Sequence, residues 1–151
     1  MEEAGMDEAF RSEIVRLARL WIGTPYHHQA SVRGVGSDCL GLVRGIYREL
    51  HGHEPESLPA YTPDWAERMG AETMAEAARR HLEEKEPADA QAGDVVLFRM
   101  KENGPAKHAA VLSGNDRMIH AWSGHAVAET GFDASWRRRM AFAFAFCVQG
   151  K

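Results

Sequence analysis

The hydrophobic period changes once along this chain, and that change sets the fold class. In the first part, apolar residues recur at helical spacing. Ile14, Leu17, Ala18 and Trp21 sit at i, i+3, i+4 and i+7, the pattern of one buried helix face. Near the end, Ala141-Phe142-Ala143-Phe144-Ala145-Phe146-Cys147-Val148 alternates small and large with period two, as a pleated strand does and a helix does not. The phenylalanines are expected to face helices, the alanines and Cys147 a crowded second side. Helices first and strands later predict an α+β fold with an antiparallel sheet.

Local signals place the elements. The first helix is expected from about Asp7 to Trp21, stopped by Gly23-Thr24-Pro25, since Gly suits a helix end and Pro cannot continue one. A polar loop follows from Tyr26 to Gly36, carrying His27 and His28. A second helix is expected from Asp38 to Leu50, with Ser37 or Asp38 accepting the orphan N–H groups of its first turn. Val43, Ile46, Tyr47 and Leu50 form its apolar face. It also carries Gly41 and Gly45, each costing about 1 kcal/mol relative to Ala. Two such residues one turn apart predict the close approach of another backbone. Pro55 to Tyr61 is expected as loop. Thr62-Pro63-Asp64 has the form of a helix start, with helix continuing to about Glu84, broken at Gly70, and a loop from Lys85 to Gly93. Strands are expected at Asp94–Met100, His108–Ser113, Arg117–Trp122 and His125–Ala128. Gly114-Asn115-Asp116 joins the middle two as a hairpin.

Composition narrows the function classes. A length of 151 residues suits one domain, and about 68–70% of the unfolded surface is buried at this size. Lys and Arg number 18 against 22 Asp and Glu, a net charge of −4, which is not the basic footprint of a nucleic-acid binder. No apolar run approaches the ~18 residues of a membrane span. The acidic start, Met1 to Glu8, lacks the apolar core of a secretory signal, so synthesis in the cytoplasm is expected. Two cysteines far apart in the chain, Cys39 and Cys147, make neither a disulfide framework nor a CxxC pair.

Cys39 is the residue on which chemistry would rest. It directly follows Asp38 at an expected helix start, where about half a positive charge favours thiolate over thiol. A pKa below the ~8.5 of a free cysteine is expected there. The bland reading is a small core residue. A nucleophilic thiol needs a base, and His108 and His120 are the candidates. If the hairpin loop is Ser113-Gly114-Asn115, His108 lies opposite His120, with Cβ atoms about 4.5–5.5 Å apart. A two-residue Gly114-Asn115 loop puts them on opposite faces. Residue types alone leave both registers open. Zinc held by Cys39, His108 and His120 is conceivable, but a helix-start cysteine accounts for the cluster without it, and neither metal nor organic cofactor is expected. Trp122 would share the strand face of His120 and wall the cleft. His28 is a candidate for substrate contact. Cys147, Trp65 and Trp136 are expected to pack, and Arg137-Arg138-Arg139 to form a solvated face.

Five segments, taken in order, resemble the NlpC family of bacterial cell-wall cysteine peptidases. They are Trp21-Ile22-Gly23-Thr24-Pro25-Tyr26, Asp38-Cys39-Leu40-Gly41-Leu42-Val43, Ala92-Gly93-Asp94-Val95-Val96-Leu97-Phe98, His108-Ala109-Ala110-Val111-Leu112 and Met118-Ile119-His120-Ala121. Gly34 to Arg44, Glu54-Pro55-Glu56 and Pro59 to Trp65 are similar, more narrowly, to small peptidases of phage and gene transfer agent tail modules. The resemblance implies a papain-like fold, with N-terminal helices on a C-terminal antiparallel sheet, and one peptidase domain over 1–151. It implies Cys39 as nucleophile, His108 as base and His120 as the residue that orients the base. Tyr26 would line the site and Asp38 would take part in substrate recognition. It departs at Leu40, where the family commonly has Ser that helps grip a substrate amine. The implied substrate is a peptidoglycan stem peptide, cut between D-glutamate and diaminopimelate. The implied setting is a phage-like tail that opens the wall for DNA delivery, with tail proteins as partners. The rivals are an inactive tail protein of the same fold and a thiol acyltransferase.

Overall fold

Residues 2–55 and 72–147 are described by the structure, a computed structural model. Helix α1 (Glu2–Arg19) leads to a turn closed by Gly23 at φ +93°. The Gly23 N–H donates to Val127 O at 2.8 Å, so the chain leaves the helix two residues earlier than expected. Trp21 therefore sits in the turn and is buried there. The expected loop Tyr26 to Gly36 contains a small hairpin, β1 (Ser31–Val32) and β2 (Gly36–Ser37). Helix α2 (Cys39–His51) starts and stops as its sequence dictates. The Asp38 side chain accepts from Gly41 N at 2.7 Å, and Gly52 at φ +81° ends the helix in the left-handed conformation.

The two helix glycines answer two different neighbours. A Cβ on Gly41 would lie 1.9 Å from Ala30 O, and one on Gly45 2.0 Å from the Trp21 ring. Only the first is the expected backbone approach; the second is an indole laid across the helix. The residues that follow them, Leu42 and Ile46, are fully buried, each burial contributing about 1.5–3 kcal/mol.

Of the helix expected from Thr62 to about Glu84, residues 72–84 are described, and helix α3 spans Thr73–His81; Thr62 to Gly70 and Trp65 lie outside the described residues. That helix stops short of Glu84. Leu82 turns extended and Glu83–Lys85 becomes strand β3, pairing with the last strand. A 3-10 turn (Pro87–Asp89) then leads to β4 (Val95–Arg99), β5 (Ala106–Gly114), β6 (Arg117–Trp122) and β7 (His125–Gly131). A short helix α4 (Ala134–Arg139) precedes β8 (Met140–Ala145). The main sheet is antiparallel, in the order β3-β8-β4-β5-β6-β7.

Helices α1, α2 and α3 pack on one face of this sheet, through Ile14, Ala18, Leu42, Ile46, Met74 and Ala75 against Val95, Leu97, Val111 and Phe144. Phe142, Phe144 and Phe146 join this helix side and Ala143 the other, as the alternation predicts, whereas Ala141 also joins the helix side, next to the register shift between β4 and β8. Cys147 lies past the end of β8 rather than on it, half-buried. The second face has its own core of Val96, Phe98, Leu112, Met118 and Phe132, with Trp136 of α4 against it. No apolar period announces α4, whose last turn is three arginines. Asp133 caps it, accepting from Trp136 N at 3.1 Å.

Candidate active site

The hairpin between β5 and β6 sets the two histidines. Val111 pairs with Ile119, Leu112 with Met118 and Gly114 with Arg117, the register shifting between Leu112 and Gly114. This is neither register considered from sequence. Counting on from the first two pairs puts His108 and His120 on the same face as diagonal neighbours rather than directly opposite. The diagonal suits imidazoles better than direct pairing, because the rings reach toward each other. His108 Nε2 and His120 Nδ1 share a hydrogen bond of 2.8 Å, and each residue is 7% exposed. His120 Nε2 in turn lies 3.1 Å from Thr130 Oγ1 on β7.

Cys39 is the first residue of α2 and is half-buried. The backbone N–H groups of Ala109, Leu40 and Cys39 itself act on its sulfur. Ala109 directly follows His108, so helix α2 brings the thiol to the strand that carries His108. His108 Nε2 is engaged by His120, which leaves Nδ1 as its other ring nitrogen.

The electrostatics differ from the sequence expectation. Burial, reinforced by the Asp38 carboxylate, pushes the Cys39 thiol up to about 12, against the pull of those three N–H groups. Burial and the facing His120 push His108 down to about 3. Burial and His125 push His120 down to about 4. Desolvation therefore opposes charge on every member, and the resting pair is neutral thiol and neutral imidazole. The positive end of α2 acts over one turn, whereas desolvation is set by everything packed around the site.

A pH dependence of stability follows. Below about pH 6.5 the unfolded histidines bind protons that the folded protein excludes. Stability should therefore fall as pH drops from 6.5 to 5, by up to about 1.4 kcal/mol per unit for each histidine. Urea midpoints at pH 7.0, 6.0 and 5.0 measure this. His120→Asn should flatten the slope, and an unchanged slope would mean that His120 is not held neutral.

The remaining expected residues fall around this axis. Trp122 walls it, with ring centroids 5.8 Å from His108 and 5.6 Å from His120. Tyr26 is half-buried and packs against the helix-side core as Cys39 does, and the pKa of its hydroxyl is raised by burial, then by Asp38 and Cys39. Asp38 is buried and has both oxygens engaged, Oδ1 by Gly41 N and Oδ2 by Gln29 N, each at 2.7 Å. The second bond holds Gln29 at φ +67°. His28 Nδ1 is 3.9 Å from the same Oδ2. Leu40 lines an apolar cavity with Val43, Tyr47, Met74, Leu97 and Ala109. Two members were missed from sequence. Thr130 lies beyond the expected end of β7, and Trp136 was assigned to packing alone. The Trp136 ring stands 5.8 Å from His108 and 5.6 Å from His120. Among the described residues, no group of three His, Cys, Asp or Glu could hold a metal ion.

A thiol on a helix end, with an imidazole on the adjoining strand and a polar side chain behind it, is the arrangement of papain-like thiol hydrolases. The chain belongs to the NlpC/P60 family, which it matches over residues 23–144. A gamma-DL-glutamyl hydrolase of Bacillus subtilis (strain 168) is 30% identical over 108 residues, covering 72% of this chain and 22% of the relative. A probable endopeptidase NlpC homolog of Haemophilus influenzae is 29% identical over 120 residues, covering 79% of this chain and 53% of the relative. The chain thus spans about a fifth and about half the length of these two relatives. The crystal structure of the NlpC/p60 domain of the peptidoglycan hydrolase SagA superposes with a TM-score of 0.63 at 22% identity. That superposition covers 88% of this chain and 96% of the SagA domain. It establishes the papain-like α+β fold.

Proposed function

We propose that this protein is a thiol endopeptidase that cuts peptidoglycan stem peptides, with Cys39 as nucleophile, His108 as base and His120 as the residue that orients it. The observation that carries this reading is the histidine pair, hydrogen-bonded at 2.8 Å, with His108 on the strand whose Ala109 N–H reaches the helix-start thiol. The two relatives, a gamma-DL-glutamyl hydrolase and an endopeptidase homolog, support it.

Because the resting pair is neutral, His108 works as a general base. Its Nδ1 takes the Cys39 proton as sulfur attacks the carbonyl carbon, while Nε2–H stays donated to His120 Nδ1. The tetrahedral oxyanion is received by the backbone N–H of Cys39 and by the Tyr26 hydroxyl. On collapse the C–N bond breaks and Nδ1–H protonates the leaving amine. Water, deprotonated by the same nitrogen, then releases the acyl group as a carboxylate and restores the thiol. The bond cut is that between D-glutamate and diaminopimelate, the one implied by the family resemblance. Incubation of the purified protein with muropeptides tests this: cleaved peptides support it. Transferred acyl products would mark an acyltransferase, and unchanged muropeptides an inactive relative.

The setting we propose is a phage-like tail, in which the protein opens the wall for DNA delivery. The likeness of Gly34 to Arg44, Glu54-Pro55-Glu56 and Pro59 to Trp65 to tail-module peptidases supports this. The protein should co-sediment with assembled particles, and its absence from them would remove the tail role and leave the chemistry.

Leu40 defines the specificity. It cannot accept a hydrogen bond, and seating a substrate ammonium against it without an acceptor is unfavourable. We therefore expect no requirement for a free N-terminal L-Ala. Stem peptides still attached to glycan should be cut at least as fast as free tripeptide at equal concentration. Strong preference for the free amine would overturn this and mean that another acceptor recognises it, with Asp38 the first candidate.

A further inference from the structure

Building on Cys39 and His108 as nucleophile and base, we propose that Thr130 is a positioning residue that selects the tautomer of His120, and through it the nitrogen of His108 that is free to accept the thiol proton. Strand β7 pairs with β6 so that His120 lies across from Ala128 and Met118 from Thr130. Thr130 is therefore the diagonal neighbour of His120 on the same face. Its hydroxyl is 3.1 Å from His120 Nε2, while His120 Nδ1 is 2.8 Å from His108 Nε2.

Two proton arrangements satisfy these contacts, and only one can work. In the first, His120 carries its proton on Nε2 and donates it to Thr130 Oγ1. The lone pair on His120 Nδ1 then accepts Nε2–H of His108, which leaves Nδ1 of His108 with a lone pair for the thiol proton. In the second, His120 carries its proton on Nδ1 and donates it to His108 Nε2. The proton of neutral His108 must then sit on Nδ1, the nitrogen that should receive the thiol proton, and attack is blocked.

Among the described residues, no carboxylate closes this relay. His120 meets a neutral hydroxyl, and an imidazole pair that is 7% exposed has little water to set its protons. The Thr130 hydroxyl can accept from Nε2–H or donate to a bare Nε2, and it selects through what it permits. With it the Nε2–H of the first arrangement is paired, and without it that N–H is stranded half-buried, at a greater cost than a stranded ring lone pair. Threonine suits the place. It fits a strand, and its branched Cβ restricts the hydroxyl to few directions.

The test compares Thr130→Val, which keeps the shape and removes the acceptor, with Thr130→Ser, which keeps the hydroxyl. Ring nitrogen shifts of His120 read the tautomer by NMR, and steady-state kinetics on muropeptides read kcat and KM separately. The wild type should carry the His120 proton on Nε2. Thr130→Val should move it toward Nδ1 and lower kcat about 3- to 10-fold, the change expected for one neutral hydrogen bond, with KM unchanged. Thr130→Ser should retain both properties. A wild-type proton on Nδ1 would overturn the proposal. So would a Thr130→Val variant with unaltered shifts, or a Thr130→Ser variant as impaired as Thr130→Val, which would make the role packing. The NMR readout holds even if muropeptides are not cleaved, so failure of the endopeptidase reading is seen separately.

Discussion

Alanine at Cys39 should bring muropeptide hydrolysis to the uncatalysed background, and alanine at His108 should lower it by about 10²–10⁴-fold. Without the thiol no acyl-enzyme forms. Without the imidazole, a thiol pushed up to about 12 has no group to take its proton, and at neutral pH the thiolate is scarce. The neutral resting pair makes the base more necessary than it would be for a pre-formed thiolate. Because the two act as one unit, Cys39→Ala/His108→Ala should be no worse than Cys39→Ala alone. His120→Ala should lose less than His108→Ala, since packing by Trp122 and Trp136 still restrains the His108 ring. The measurement is initial rate by chromatography of products, with unfolding midpoints recorded for each variant. An active Cys39→Ala variant with an intact fold would remove the thiol mechanism. A His120→Ala variant as dead as Cys39→Ala would give His120 a direct part in the reaction.

The division of the chain into helix and strand halves was legible because each half states its own period. The Phe142–Ala143–Phe144 alternation told which side faces the helices, and Asp38 before Cys39 told where α2 begins. What escaped was set by contacts remote in sequence. Glu83, Glu84 and Lys85 carry no apolar pattern, and they form a strand because the edge of β8 offers unpaired N–H and C=O groups. Histidine spacing marked β5 and β6 as strands able to bring two imidazoles together. The actual offset depended on an irregularity between Leu112 and Gly114, which residue types do not encode. Thr130 became visible only once β7 ran on to Gly131. The reversed expectation for the Cys39 thiol has the same origin. A helix end is a local property, and desolvation is a property of the assembled site.

Removing the Asp94 side chain should cost more stability than removing any exposed charge. Asp94 belongs to the Ala92-Gly93-Asp94 segment that leads into β4, the strand paired with the His108 strand. Its side chain is fully buried. It accepts from Arg11 Nη1 at 2.6 Å, Lys85 Nζ at 2.8 Å and Gln91 N at 2.9 Å. One carboxylate thus ties α1, the edge strand β3 and the start of β4, and both cations are largely buried, at 15% and 19% exposed. Asp94→Ala leaves Lys85 without its anion, Arg11 with only the exposed Asp7, and a backbone N–H without its acceptor. Breaking a buried pair in this way costs about 3–5 kcal/mol, or roughly 6–20 °C in Tm for a domain of this size. Asp94→Asn should fall between, since the amide oxygen can still accept but carries no charge. Glu13→Ala is the control, because the Glu13–Arg16 pair is exposed and should be worth less than about 1 kcal/mol. Thermal unfolding at pH 7 separates the two effects. A Tm for Asp94→Ala within 2–3 °C of Glu13→Ala would mean that solvent reaches Arg11 and Lys85 and that this corner does not hold the helix to the sheet.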